Sequence, residues 1–188
     1  MELTEAIKGR RSIRKFKALG VPREKLEKIL DLALWAPSGM NRQDWFFLVL
    51  QGQKKDELLK ICGSAFEVFR PRLEKVFADK PKILEGMKQF FQTYGGAPVF
   101  VLAYAGKGSA DQWDTHSTAV AIQNLMLAAH AEGLGTVWTD GILVKEAEIN
   151  ALVGVEGRKL VAILPVGYPD ETPRVPPRRE GRVQWVGF

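Results

Sequence analysis

Residues 117 to 131 constrain the fold more than any other stretch. Val120, Ile122, Leu125, Leu127, Ala128 and Ala131 place apolar side chains around much of a helix's girth, not along one stripe. Such a helix belongs in the centre of a fold or against a second subunit. Ser117 at its start is the predicted N-cap, and Gly133-Leu134-Gly135 ends it. Four short apolar runs read as strands: residues 45–50, 99–104, 136–139 and 160–166, the last closed by Pro165 and Gly167. The spacing predicts further helices over 3–9, with Ile7 inward, and from Val21-Pro22 to Leu34. The latter carries a stripe of Leu26, Ile29, Leu30, Ala33 and Leu34 and is stopped by Pro37. A helix over 54–76 is expected to break around Gly63 and Pro71, with two more over 81–91 and 146–152. Long helical stretches between strands favour an α+β sandwich. A doubly wound nucleotide fold would need a glycine fingerprint after the first strand, where Gln51-Gly52-Gln53-Lys54 stands.

At 188 residues the chain is long enough to bury a core unaided, and Cys62, its one cysteine, excludes an internal disulfide or a Cys-rich metal site. The single thiol suits a reducing compartment, so a cytoplasmic location is expected. No apolar run approaches a membrane span, and the acidic opening Met1-Glu2-Leu3-Thr4-Glu5 is not that of a secretory signal. Lys and Arg total 27 against 22 Asp and Glu, a net charge of +5. The excess gathers at Arg10, Arg11, Arg14, Lys15 and Lys17 and again at Arg174, Arg178, Arg179 and Arg182. Two such patches suit a polyanion groove or one bound phosphate.

Three constellations carry chemistry. In Arg10-Arg11-Ser12-Ile13-Arg14-Lys15-Phe16 the guanidinium forks and the serine hydroxyl match phosphate oxygens, although a solvated basic face would look the same. Ala36-Pro37-Ser38-Gly39-Met40-Asn41-Arg42-Gln43 is a polar turn whose Asn and Gln can both donate and accept, as the edge of a heteroaromatic ring requires. Gly133-Leu134-Gly135-Thr136-Val137-Trp138-Thr139-Asp140-Gly141 allows close backbone approach to a flat ligand. Asp111, Asp114 and His116 read as a loop feeding a helix, not as metal ligands, and no hydrolase nucleophile or paired carboxylate stands out.

Together these pieces resemble the nitroreductase family of FMN-dependent oxidoreductases. The matches are residues 10–16, 36–45, Ala121-Ile122-Gln123-Asn124-Leu125-Met126-Leu127-Ala128-Ala129, 133–138, Pro165-Val166-Gly167-Tyr168-Pro169 and the basic proline-rich tail. Only about residues 52–95 lie outside the resemblance. It implies a single domain over 1–188: a mixed, mainly antiparallel sheet flanked by helices, a variable substrate-channel region over 52–95, and a domain-swapped arm over 169–188. It implies a homodimer with FMN at the interface, no metal, and neither nucleic acid nor membrane as partner. Carried across, Arg10, Arg11, Ser12 and Arg14 contact the ribityl chain, the phosphate and the pyrimidine edge. Pro37, Ser38, Gly39, Asn41 and Gln43 come from the partner subunit. Trp138, Thr139, Asp140 and Gly141 lie by the isoalloxazine with an N–H toward N5, and Arg178 and Arg179 hold the phosphate. No side chain is a catalytic acid or base in this reading, because N5 carries the chemistry with Arg14 and the 139–141 backbone assisting.

The activity so implied is ping-pong hydride transfer from NAD(P)H to flat, electron-poor acceptors such as nitroaromatics or quinones. Alternatives are a specialised relative (a reductive dehalogenase, a dehydrogenase of ring or peptide-derived substrates, or a flavin-fragmenting enzyme) and a non-catalytic anion- or nucleic-acid-binding module. Asp44 replaces the family's usual proline and would bring a carboxylate toward the flavin mouth. Ser117 stands where aspartate is common. Phe66, Phe69, Phe77, Phe90, Phe91 and Tyr94 suit either core packing or a ring-lined pocket.

Overall fold

The computed structural model describes residues 1–107 and 112–188. Its centre is a four-stranded sheet of β1 (Phe46–Leu50), β2 (Val99–Lys107), β3 (Gly135–Thr136) and β4 (Arg158–Gly167), ordered β1-β2-β4-β3 and antiparallel throughout. Among the described residues a parallel contact enters where Ser12 bridges Thr136. Both sheet faces are covered, which is why β2 and β4 are apolar without alternation. On β2, Val99, Val101, Ala103 and Ala105 pack with α2 (Arg23–Leu34) and α5 (Gln112–Ala131). Phe100, Leu102 and Tyr104 point the other way, into a core with Leu58, Cys62, Ala65 and Ile149. β2 pairs Ala103 with Ala162 but Tyr104 with Leu160, so Val161 is a bulge that shifts the facing of β4. The edge of β4 beside Pro165 is unpaired between the Thr139–Ile163 bridge and β3, which is where a strand tolerates proline. The strand therefore runs through Pro165 instead of closing there.

Several local expectations are corrected. In α1 (Leu3–Gly9) the inward residue is Ala6, and Ile7 is exposed. Pro22 is the N-cap of α2, and of its apolar stripe Leu34 stays exposed. α5 begins five residues before Ser117, which lies inside the helix instead of capping it. α3 (Gly52–Val76) runs unbroken through Gly63 and Pro71. Gly63 packs against Gln92 of α4 (Pro81–Thr93), and the α3–α4 pairing keeps the helix continuous where propensity alone would not. α6 (Glu146–Val153) completes the layer beside α3. Beyond Pro169 the chain carries no helix or strand to Phe188.

Candidate functional site

α1 stops at Gly9 against α5, where a Cβ would lie 2.8 Å from His130 Nε2. The chain then runs extended along β3. Ile13 is buried and its N–H donates to Thr136 O at 3.0 Å. Gly135 makes room for it, since a Cβ there would sit 2.7 Å from Ile13 Cγ1. With Ile13 inward, its basic neighbours line a hollow of about 280 Å³ together with the tail: Arg10, Arg11, Ser12, Arg14, Arg174 and Arg178. Among the described residues no carboxylate lines it, and Arg179 does not reach it. Arg11 donates to the carbonyls of Lys8 and Arg10, each at 2.7 Å. Arg10 Nη1 and Arg11 Nε are buried with no acceptor among the described residues. Burial, then Arg11 and Arg178, push the Arg10 guanidinium below its ordinary pKa, and burial with Arg10 and Arg11 does the same to His130. Converging cations with orphaned donors form a receptor for a multiply charged oxyanion.

Two residues that sequence reasoning missed hold this segment. Glu171 Oε1 accepts from the N–H groups of Arg14 and, at 3.1 Å, Lys15. Asp170 pairs with Lys15 Nζ at 3.0 Å, and its N–H donates to Lys15 O at 2.9 Å. Their one signal was an acidic pair at the head of an otherwise basic tail.

The second predicted group, residues 37–43, forms a self-bonded turn. Ser38 Oγ accepts from Gln43 N at 3.0 Å, and Gln43 Nε2 donates to Asn41 Oδ1 at 2.9 Å. Met40, Asn41 and Gln43 all have positive φ, near 51°, 54° and 52°. Pro37 and Gly39 lie exposed on the same turn. Arg42 anchors it, its Nε 3.0 Å from Asp44 Oδ2 and its Nη2 on the buried Asp114 carboxylate. Asp44 is thus engaged by Arg42 and does not project as a free carboxylate. Asp111 of the discounted metal cluster lies outside the described residues, and among those described no His/Cys/Asp/Glu group could hold a metal.

The third group, 138–141, emerges from β3 beside the basic segment. Trp138 packs on the core, and Thr139 exchanges backbone hydrogen bonds of 3.1 and 3.0 Å with Ile163. Asp140 is exposed, and Gly141 faces Phe91, 3.3 Å from where a Cβ would stand. The fold therefore gathers residues 10–14, 136–141 and 174–178. It does not bring in 38–43, whose Gly39 N–H meets Ser117 Oγ at 3.4 Å near the other end of α5 from His130. At 1.5 Å per residue, Ser117 and His130 are separated by about 20 Å.

The model of the nitroreductase family matches residues 7–168. The chain is 32% identical to iodotyrosine deiodinase of Thermotoga neapolitana over 193 residues, covering 99% of this chain and 98% of the deiodinase. It is 29% identical over 181 residues to YfhC of Bacillus subtilis, a provisionally assigned NAD(P)H nitroreductase, with 94% and 89% covered. The crystal structure of oxidized iodotyrosine deiodinase bound to FMN and 3-iodo-L-tyrosine superposes with a TM-score of 0.81 at 30% identity, covering all of both chains.

Proposed function

The chain belongs to the nitroreductase family, and we propose that it is an FMN-dependent NAD(P)H oxidoreductase acting as a homodimer on flat, electron-poor acceptors. The observation that carries the reading is the carboxylate-free arginine hollow with buried, unpartnered Arg10 and Arg11 nitrogens, which fits the phosphate of FMN. Bound there, FMN would supply the redox chemistry, hydride transfer from NAD(P)H to the acceptor in ping-pong order. Arg10, Arg11 and Arg178 would hold the phosphate, with Ser12 as a short donor. Arg14, its backbone fixed by Glu171, would set a positive charge beside the bound ring and favour electron uptake. The 138–141 backbone would orient the ring, and protons would come from water.

A second copy completes the site. Within one chain, residues 38–43 meet α5 at Ser117, about 20 Å along the helix from His130, whose end of α5 faces the basic segment. An apolar hollow lined by Met1, Leu3, Leu32, Trp35, Leu127 and Ala131 lies on the α5 face, with Trp35 79% exposed, and the tail ends in an exposed, edge-packed Trp185–Phe188 pair. A dimer that covers these surfaces sets the partner's Ser38, Gly39 and Asn41 across from the arginine hollow.

The test is an absorption spectrum of desalted protein, before and after FMN addition, followed by anaerobic NADH or NADPH. Flavin peaks that bleach, and turnover with quinones or nitroaromatics, support the reading; a protein that binds no added FMN overturns it. The deiodinase likeness favours a second reading, reductive dehalogenation of a halogenated phenol. Iodide release from 3-iodotyrosine without quinone turnover would favour it.

A further inference from the structure

We propose that Glu171 is a positioning residue for both cationic groups of the flavin site, one carboxylate that fixes the backbone of Arg14 and tethers the tail carrying Arg174 and Arg178. The inference rests on the flavin reading above. The tail leaves β4 as one side of a short antiparallel ladder on the basic segment. Lys17 N donates to Tyr168 O at 2.9 Å, Phe16 bridges Pro169, and Asp170 N donates to Lys15 O at 2.9 Å. Glu171 extends the ladder with its side chain, Oε1 accepting from Arg14 N and, at 3.1 Å, from Lys15 N. Both bonds run to a charged acceptor, which makes them stronger than neutral ones. The neighbouring Lys15–Asp170 pair is 67% and 43% exposed, so it adds little. Among the described residues, 172–188 make no hydrogen bond or ion pair with the rest of the chain, and Glu171 is therefore the tail's last polar tether.

The arrangement that this tether holds is opposed by like charges. Arg174 and Arg178 face Arg10, Arg11 and Arg14 around the hollow of about 280 Å³, with no carboxylate lining it among the described residues. Arg10 Nη1 and Arg11 Nε lack acceptors there. An oxyanion in the hollow turns the repulsion between the tail and the basic segment into shared attraction. Without one, the tail is pushed outward and the tether resists. Docking of the tail and binding of the phosphate are accordingly linked, each favouring the other by the same factor. Glu171 is not among the residues lining the hollow, so its negative charge meets backbone N–H groups and not the phosphate. It acts on FMN through Arg14 on one side and through Arg178 on the other.

The experiment compares the full chain as wild type, Glu171→Ala, Glu171→Gln, Arg178→Ala and the double variant Glu171→Ala/Arg178→Ala. FMN affinity is read by fluorescence quenching, with Tm beside it. Tail docking is read by trypsin cleavage at the Arg174–Val175 bond, followed by mass spectrometry with and without FMN. Glu171→Ala should weaken FMN binding about tenfold with little change in Tm, because Glu171 is exposed. Glu171→Gln keeps an acceptor oxygen and should recover most of that loss. On the Arg178→Ala background, Glu171→Ala should weaken binding by no more than about threefold. Flavin-free Glu171→Ala should be cut at Arg174 at least about fivefold faster than flavin-free wild type, and FMN should protect the wild type. Additive losses, a glutamine no better than alanine, or equal cleavage of the flavin-free proteins overturns the inference while leaving the flavin site standing. A wild type that binds no FMN overturns the flavin reading and the role of Glu171 in it, while the flavin-free cleavage rates still decide whether Glu171 tethers the tail.

Discussion

Gly95→Ala gives the most direct check on the geometry that joins α4 to the basic segment. The new Cβ would sit 1.9 Å from Arg14 O and 2.6 Å from Arg14 C, both backbone atoms that no rotamer change can move aside. To reach the 3.0 Å that real Cβ atoms keep, the Arg14 carbonyl must retreat by about 1.1 Å. The left-handed φ of +65° adds about 1–2 kcal/mol for any L side chain. Gly96 is the internal control, because it has φ +76° but its nearest neighbour, Phe16 O, is 3.9 Å from where a Cβ would stand. Gly96→Ala thus carries the conformational cost alone. Overpacking of a close contact costs about 1–3 kcal/mol, and an immovable backbone puts Gly95→Ala at or above the top of that range. The two variants should differ by about 3 kcal/mol, or more than 1 M in urea midpoint at a slope near 2 kcal/mol/M. Both should be unfolded at one protein concentration, since a dimer's midpoint depends on it. Flavin affinity should fall in Gly95→Ala and hold in Gly96→Ala, because only the first displaces Arg14. Equal midpoints for the two would refute the reasoning.

Arg10→Ala or Arg178→Ala should weaken FMN binding by about 10- to 100-fold, and Arg179→Ala by less than about threefold, measured by quenching of flavin fluorescence. Arg42→Ala leaves the buried Asp114 carboxylate unpaired; with Arg42 itself 36% exposed, the loss should be about 1–3 kcal/mol by chemical unfolding, and adding Asp114→Asn should recover part of it. His130 is held below its ordinary pKa by burial and by Arg10 and Arg11, so the folded state takes up its proton less readily than the unfolded state. The apoprotein should therefore lose stability as pH falls through about 6.5 toward the lower folded value, and His130→Gln should flatten that part of the Tm–pH profile.

The parts of the fold written in period and punctuation were legible. The apolar girth of α5, the double-faced runs of β2 and β4, and the proline-ended α2 each carry a local pattern that tertiary structure reinforces. Helix continuity across Gly63 and Pro71 was not legible, because the pairing of α3 with α4 is a long-range effect that overrides both local breakers. Ser117 misled for a related reason: capping is a strong local preference, but the helix starts earlier and Ser117 serves the 38–43 turn instead. At the site, the arginines announced themselves by type. Glu171 did so only as half of the Asp170–Glu171 pair, since accepting backbone N–H groups 157 and 156 residues away leaves no spacing pattern in the sequence. The aromatic set of the variable region resolved toward packing: Phe66, Phe69, Phe90, Phe91, Tyr94 and Phe100 form one run of ring contacts, while Phe77 stands apart near the hairpin tip.

The same helix accounts for both the stability problem and the division of the site. α5 buries Ile122, Leu125 and Ala129 completely yet leaves Val120 at 41% exposure, and Trp35, on the same side, is at 79%. A helix apolar around its girth needs cover on more than the side its own sheet provides. In the proposed dimer a second copy gives that cover, and the association energy then comes from surfaces remote from any ligand. The proposed ligand residues at the two ends of α5 can accordingly stay polar. Arg10 and Arg11 keep free donors at one end, while the 38–43 turn at the other is held in a strained conformation by Arg42 and Asp114 rather than by the ligand. Affinity for FMN and affinity between subunits are therefore separable. Trp35→Ala should weaken dimerisation at low protein concentration and lower flavin occupancy with it. Arg10→Ala should lower occupancy while leaving the sedimentation coefficient of the dimer unchanged.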